Sequence, residues 1–268
     1  MTFETFNFDE NNKYHRFGRT VLIVILSLIM FVELWWILSI LANTNVFPTP
    51  AETFEALIDF LENGYSHQSS GSIIWSSLSL FIQGFLLALI VAIPLGLFLG
   101  YSKTLNTFVT PMIEVLRPIA PIAWAPVFIY GISYGVGPIL VVFIGIFFPL
   151  LTNIIFGVKK IDQTLVDAAR TLGANKTQVF LKVMIPSAVP YLMNGIKVGL
   201  GVGWMCIVAA EMYSPVSIGV GYCLQSMCQN SLWPSVFAIL VIIAFLGIMT
   251  TSLSEYIQKR ISKRMGIE

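Results

Sequence analysis

Six apolar runs, each about long enough to cross the hydrocarbon of a bilayer, constrain this chain more than anything else in it. They are placed at Thr20–Leu41, Ser72–Gly100, Leu105–Phe128, Ile139–Lys159, Ala188–Tyr213 and Pro234–Ile257, and a spanning helix needs roughly 20 apolar residues. Of the 268 residues, 56% are hydrophobic and 11% charged. Soluble domains carry about 25% charged residues, so no single aqueous core hides this apolar surface. The expected fold class is an all-α integral membrane protein with six transmembrane helices, since a helix satisfies its backbone polar groups internally. The third run holds Pro111, Pro118, Pro121 and Pro126. Proline removes a donor and clashes with the preceding turn, so this span is expected to be kinked or partly unwound. The first run follows a charged start, is long and has no small-residue cleavage site, which reads as a retained span.

Orientation follows from Lys and Arg, which stay on the cytoplasmic side. Lys13, Arg16 and Arg19 precede the first span, and the connection from Asn43 to Gly71 has no basic residue but carries Glu52, Glu55, Asp59 and Glu62. Lys103 follows the second span, while the stretch after the third has no basic residue. Lys159, Lys160, Arg170, Lys176 and Lys182 fill the next connection; Ser214 to Trp233 has none, and Lys259, Arg260, Lys263 and Arg264 close the chain. Every connection agrees with both termini in the cytoplasm. The chain divides into a cytoplasmic segment (1–19), a six-span domain (20–258) with a cytoplasmic loop at about 160–187, and a basic tail (259–268). Three cysteines make no disulfide framework. Cys206 reads as a small hydrophobe, and Cys223 and Cys228 share a loop, where free thiols are preferred over a pair. His15 and His67 lie outside the spans on opposite sides, which leaves no set for catalytic or metal chemistry in the membrane.

The longest cytoplasmic connection contains "DAARTLGANKTQVFLKVMIP", residues 167–186, a polar island between two apolar runs. Asp162 can cap a first helix, with Leu165, Ala169 and Leu172 on one face. Gly173 stands where a helix end wants a left-handed residue. Asn175 with Gln178 resembles a capping box that starts a second helix, expected to run to a turn at Pro186. Asp167 and Arg170 are spaced to pair along the surface, and Ala168 and Ala169 let another surface approach closely.

This stretch resembles the EAA signature of ABC importer permeases: Glu-Ala-Ala, three residues, Gly, nine residues, then Ile-x-Leu-Pro. Here Asp167-Ala168-Ala169, Gly173 and Val183-Met184-Ile185-Pro186 fall at those spacings, with Asp for Glu as the main departure. "FPTPAETFEALIDFLENG", "LRPIAPIAWAPVFIYGIS", "FFPLLTNIIFGVKKID" and "GWMCIVAAEM" are similar, in order, to permeases of the nitrate/sulfonate/taurine/bicarbonate group. The resemblance implies a type I importer permease fold in which Asp167, Ala168, Ala169, Arg170, Gly173 and Pro186 belong to a coupling helix seated on a cytoplasmic ATPase subunit. The chain has no G-x-x-x-x-G-K-[ST] phosphate loop, so ATP and its magnesium belong to that other chain and no cofactor is expected here. The glycines of "GLGVGW" lie inside a span and read as close helix packing.

Ionisable residues at membrane depth are functional candidates by default. Glu211, in "VAAEM", has two readings: part of the substrate pathway or its outer gate, which is preferred, or an interfacial carboxylate anchoring the helix end. Glu114 and Arg117 are spaced for an intramembrane pair and are further pathway candidates; Arg117 matches the arginine of the family's Leu-Arg-x-Ile-Pro pattern, although Ala120 precedes Pro121 here. Lys197 is expected to snorkel toward the cytoplasm, and Glu33 to sit at the outer interface. Leu80 stands where the family often has an arginine.

On the outer side, Thr49 or Thr53 can cap a helix in which Phe54, Leu57, Ile58 and Leu61 recur against Glu52, Glu55, Asp59 and Glu62. Anionic headgroups would repel that acidic face, so docking of an extracytoplasmic binding protein fits it better than the bilayer surface. A single six-helix unit hardly encloses a polar solute, so a homodimer is expected, surrounded by lipid and with no nucleic-acid partner; the resemblance implies two ATPase copies beside it. The solute implied by the resemblance is a small oxyanion such as a sulfonate or nitrate, with a vitamin precursor as the alternative. A secondary transporter or channel shares the topology but gives no reason for the coupling signature.

Overall fold

The computed structural model describes residues 13–42, 44–214 and 218–265. Within them the chain forms eleven α-helices and no strand: α1 (Lys13–Ala42), α2 (Pro50–Asn63), α3 (Ser70–Tyr101), α4 (Lys103–Leu116), α5 (Ala125–Gly131), α6 (Gly137–Lys159), α7 (Gln163–Thr171), α8 (Lys176–Val179), α9 (Ile185–Tyr213), α10 (Val220–Gln229) and α11 (Trp233–Met265). Five helical stretches are long and apolar enough to cross a membrane: Thr20–Ala42, Ser70–Tyr101, Gly137–Lys159, Lys176–Tyr213 and Trp233–Ile261. In place of the sixth expected span stands a sharply bent pair of helices. Lys103–Leu116 and Pro121–Gly131 meet at 83°, with Pro118 and Pro121 at the break, where a proline ring cannot continue the preceding helical turn. Pro111 stays inside α4 and leaves it helical.

The bundle is built around α6, which lies between α3 and α9 and buries Val141, Val142, Ile146, Leu150, Leu151 and Ile154. Lipid supplies little driving force between helices, so close backbone approach through small residues carries the packing. Gly84 of α3 sits so near α6 that a Cβ there would lie 2.7 Å from Val142 and 2.8 Å from the Ile139 carbonyl oxygen. In "GLGVGW", Gly199 and Gly203 face Ile146, whereas Gly201 faces open space, so the expected close packing is real for two of the three glycines. Phe81 stacks on Trp204 with centroids 4.7 Å apart. Trp204 Nε1–H donates to Thr250 Oγ1 at 2.9 Å, joining α9 to α11, and Asn194 Nδ2–H donates to Asn153 Oδ1 at 2.9 Å, joining α9 to α6.

Connections alternate between the two ends of the bundle. One end holds α2, α10 and the turn before α6; the other holds α7, α8 and the start of α4. Tyr65 OH and Ser226 Oγ lie 2.8 Å apart and tie the loop after α2 to α10. The segment from Ser214 to Trp233, read from sequence only as a loop, contains α10. α1 is held near its C-terminal end, where Trp35 Nε1–H donates to the Pro48 carbonyl at 3.1 Å and Ser39 Oγ–H to the Phe47 carbonyl at 2.9 Å.

α2 takes the first of the two caps the sequence offered. Thr49 is its cap, in a full capping box with Glu52. Its buried residues are Thr53 and Phe60, while Phe54, Ile58 and Leu61 are exposed. Leu57 of the apolar stripe is half-buried and packs against the core beside Phe60, while the rest of the stripe is exposed.

The glycine geometry gives a paired test. Gly84→Ala must push against a β-branched side chain and a carbonyl, and is expected to destabilise the protein by about 1–3 kcal/mol. Gly201→Ala meets nothing within 4 Å and should leave the thermal midpoint unchanged or raise it slightly. Thermal unfolding of both purified variants in detergent checks this, and equal midpoints would contradict the packing described.

Candidate functional site

At one end of the bundle the polar island forms a fully capped hairpin. Asp162 Oδ1 accepts from the Thr164 backbone N–H at 2.8 Å. Hydrogen bonds from the Thr164 side chain and backbone hold the Asp162 carboxyl below the ordinary aspartate value. A lowered carboxyl pKa contributes stability above the unfolded value and loses it only as pH falls through the folded one, so this cap is intact at neutral pH. α7 closes on Gly173, at φ +85°. Gly173 N–H donates to the Arg170 carbonyl at 2.9 Å and Ala174 N–H to the Ala169 carbonyl at 3.0 Å, the paired bonds of a Schellman turn. Asn175 then opens α8 with a reciprocal box: Gln178 N–H donates to Asn175 Oδ1 at 2.8 Å, and Asn175 N–H to Gln178 Oε1 at 2.9 Å. Little freedom remains between the two helices.

Val166 and Val179 are buried and seat the hairpin on the bundle. Leu165 is exposed, as is Ala168, and Leu172 is 88% exposed; Ala169 is half-buried. Arg170 Nη1 lies 3.9 Å from Asp167 Oδ1, with both side chains about 60% exposed, a pair worth at most about 1 kcal/mol. A second helix ending in a turn at Pro186 is not what the structure has. α8 continues through one wide turn, Phe180–Met184, into α9, with Ile185 N–H donating five residues back to the Phe180 carbonyl. The widened turn makes room for the Pro186 ring, which would otherwise press on the preceding turn. The result is one helical stretch, Lys176–Tyr213, of 38 residues.

In the last turn of that stretch lies Glu211, which has no exposed surface. Ser77 Oγ–H donates to Glu211 Oε2 at 2.8 Å, and Gly221 N–H to the same oxygen at 2.9 Å. Ser77 Oγ in turn accepts from Val220 N–H at 2.8 Å. The first two amides of α10 thus point at a carboxylate and its serine, the arrangement in which a helix N-terminus favours an anion. Glu211 Oε1 has no partner and lies against Gly219, where any Cβ would collide with it. Of the two readings from sequence, the geometry is that of a carboxylate joining α3, α9 and α10, and in this conformation it lines no open space. Ser77 escaped the sequence reading because a serine in an apolar run carries no signal of its own. Gly219 and Gly221, flanking one residue near a buried acid, were the available hint.

The remaining candidates fall elsewhere. Glu114 and Arg117 are both exposed, beside the break after α4, and do not pair. Arg117 caps the C-terminus of α4 in helical geometry, its N–H donating to the Ile113 carbonyl at 2.8 Å, so the spacing is regular and the two side chains nevertheless stay apart. Among the described residues the ion pairs are Asp167–Arg170 and Lys197–Glu255. Lys197 therefore does not snorkel free; it meets Glu255 of α11, a partner the sequence reading did not consider because it lies 58 positions away. Glu33 is exposed on α1. Leu80 packs against the core, which is the role an apolar side chain takes at that position. On α2 all four acidic residues are exposed; Glu52 is engaged in the cap and Asp59 Oδ1 accepts from Asn63 at 2.7 Å. All three cysteines are free.

Spans bundled around α6, with one long helix joining a rigid exposed hairpin to a closed polar cluster at the far end, define a polytopic membrane transport subunit. Residues 84–263 match the family of binding-protein-dependent transport system inner membrane components, and the chain belongs to that family. It is similar to a putative ABC transporter permease protein of Methanocaldococcus jannaschii, 38% identical over 85% of this chain and 86% of that one. It is 29% identical to the taurine transport system permease protein of Escherichia coli, over 93% of this chain and 92% of that one. The nitrate import permease protein of Synechocystis is 30% identical, over 83% and 82%. The fold is shared with the inward-facing MetNI methionine ABC transporter, at a TM-score of 0.58 and 18% identity, covering 70% of this chain and 93% of that one. The chain is accordingly an ABC importer permease, a multi-pass transport subunit and not an enzyme.

The buried cluster yields a double-mutant test. Gly219→Ala and Glu211→Ala should each destabilise the α10 end by about 1–3 kcal/mol, the first by collision and the second by leaving buried donors unpaired. Combined, they should cost clearly less than their sum, because the collision disappears with the carboxylate. Thermal unfolding of the four proteins measures the coupling, and strict additivity would mean that the two residues do not meet.

Proposed function

We propose that this permease imports a small oxyanion, delivered by an extracytoplasmic binding protein and driven by a separate ATPase that docks on α7. One observation carries the reading: a rigid capped hairpin, with Leu165, Ala168 and Leu172 turned away from its own chain, continues without a break into a helix of 38 residues. At 1.5 Å per residue that helix is roughly 57 Å long, enough to carry a push at the hairpin through the bilayer to the Glu211 cluster. Asp167, Ala168, Ala169, Arg170 and Gly173 form the docking element, and Pro186 sits where its movement enters the span. ATP and magnesium are held by the ATPase.

The hairpin end is assigned to the cytoplasm because all of the 15 Lys and Arg residues except Arg117 and Lys197 lie at that end of the helices. Both termini then lie in the cytoplasm. The acidic face of α2 lies outside, with Glu55 and Glu62 without hydrogen-bond or ion-pair partners for their side chains among the described residues alongside the engaged Glu52 and Asp59, and suits a binding protein that presents basic residues. Two copies of the chain are proposed to enclose the pathway. Glu114 and Arg117, exposed at the break beside α4, are its candidate lining, and the Glu211 cluster its outer gate. Small oxyanions are favoured because relatives are named for nitrate, taurine and bicarbonate. Identification of the neighbouring binding protein's ligand by thermal-shift screening tests the class; a cationic ligand would refute it. A single permease copy in the mass of the assembled complex would refute the homodimer.

Substitutions at the hairpin separate docking from folding. A Cβ at Gly173 meets nothing within 4 Å, so Gly173→Val acts through the positive φ alone, at a cost of about 1–2 kcal/mol or more for a β-branched residue. Gly173→Val and Asp167→Arg are expected to reach the membrane at near-normal levels, capture the ATPase poorly and lose uptake, with Gly173→Ala milder. Full ATPase capture and transport by Gly173→Val would remove α7 from the coupling role. Glu55→Lys combined with Glu62→Lys should abolish binding-protein-dependent uptake while leaving ATPase capture intact, measured by pull-down and uptake side by side.

A further inference from the structure

A cavity of about 660 Å³ opens where the end of α3, the start of α4, the end of α6 and the α7–α8 hairpin converge. Lys103, Lys159, Arg170 and Lys176 line it, and no aspartate or glutamate is among its described lining residues. Arg170 has Asp167 as a weak neighbour at 3.9 Å. The side-chain ammonium groups of Lys103, Lys159 and Lys176 have no ion-pair or hydrogen-bond partner among the described residues. Four cations around one concavity, three of them uncompensated, favour a phosphate-bearing anion.

A second observation says what kind of molecule carries that phosphate. Beside the cavity runs a smaller groove of about 160 Å³ formed by Phe98, Tyr101, Lys176, Thr177 and Phe180. Tyr101 and Lys176 line both. Phe180 stacks on Phe98 with centroids 6.4 Å apart and meets Tyr101 edge-on at 5.3 Å, and Phe98 is 60% exposed. The aromatic groove lies beside the last turns of α3, one of the helices long and apolar enough to span, and the basic cavity lies where that helix ends. A polar anionic head joined to an apolar tail fits the pair; a free anion uses only the first half. We propose that this corner binds an anionic phospholipid of the adjoining leaflet, its phosphate among Lys103, Lys159 and Lys176 and one acyl chain along Phe98 and Phe180. Basic pockets between span ends and interfacial aromatics are the features that hold such lipids. The bound lipid bridges the start of α4 and the start of α8, and so braces the hairpin against the bent pair of helices.

Native mass spectrometry of the full-length chain in neutral detergent tests this, with phosphatidylglycerol, phosphatidylcholine of the same acyl chains, and inorganic phosphate as probes. The wild type should retain one phosphatidylglycerol per chain at least about tenfold more tightly than phosphatidylcholine. Lys103→Gln combined with Lys176→Gln should weaken that retention about twenty-five-fold, taking about fivefold per cation removed. Phe98→Ala should weaken the lipid too, and Lys259→Gln with Lys263→Gln, equally basic but outside the cavity, should not. Equal weakening by the tail pair, or equal retention of phosphatidylcholine, would overturn the site. Displacement of the lipid by inorganic phosphate at equal concentration would overturn it in favour of a soluble anion. Unchanged lipid retention in the Lys103/Lys176 double variant, with ATPase capture lost, would mean that the cavity receives acidic side chains of the ATPase, and the proposal fails. Retention is read on the permease alone, so failure of the ATPase reading leaves this result untouched.

Discussion

Inside a bilayer no water is available to a peptide group, and every backbone donor and acceptor must find its partner within the protein. That requirement makes each spanning segment a helix and leaves the helices to associate through contact and sparse polar bonds instead of through expulsion of water. The centre of this protein shows the consequence. α6 is approached by α3 at Gly84 and by α9 at Gly199 and Gly203, and few of its side chains reach the surface. Where the chain departs from regular helix, a local device covers the loss: the bend at Pro118 and Pro121, and the wide turn ahead of Pro186.

Because the helices are stiff, position along one of them becomes a means of communication. The stretch from Lys176 to Tyr213 begins in a capping box outside the bundle and holds in its last turn Glu211, which is bonded to Ser77 of α3 and to the first amides of α10. The hairpin and a junction of three elements are thus joined by one continuous helical stretch. The Lys197–Glu255 and Trp204–Thr250 contacts tie the same helix to α11 along the way.

The outer surfaces are less complete than the core. α4 has no buried residue, and Phe108, Met112 and Val115 stand exposed along it. α1 is exposed over most of its length and anchored near one end. Lipid accepts such surfaces, and so does a second copy of the chain. Glu114 and Arg117, charged and exposed beside the break, are harder to leave to lipid, which is the physical argument for a polar space shared between copies.

Much of this was legible in the linear sequence. Apolar run length set the spans, proline clustering located the bent pair, and the distribution of Lys and Arg sorted the connections into two ends. The hairpin was readable almost atom by atom, since caps, boxes and a left-handed glycine depend on residues within four or five positions of each other. Contacts between distant segments were not readable. The pairing of Lys197 with Glu255, the closure of Ser77 and Gly221 on Glu211, the direction α2 turns its apolar stripe and the absence of a Glu114–Arg117 pair depend on how helices rotate against one another. Rotation is fixed by which small residues permit close approach and which large ones fill the gap. Local hydrogen bonding is a property of sequence neighbours, whereas burial and partner choice are properties of the packed whole, and only the tertiary structure decided those.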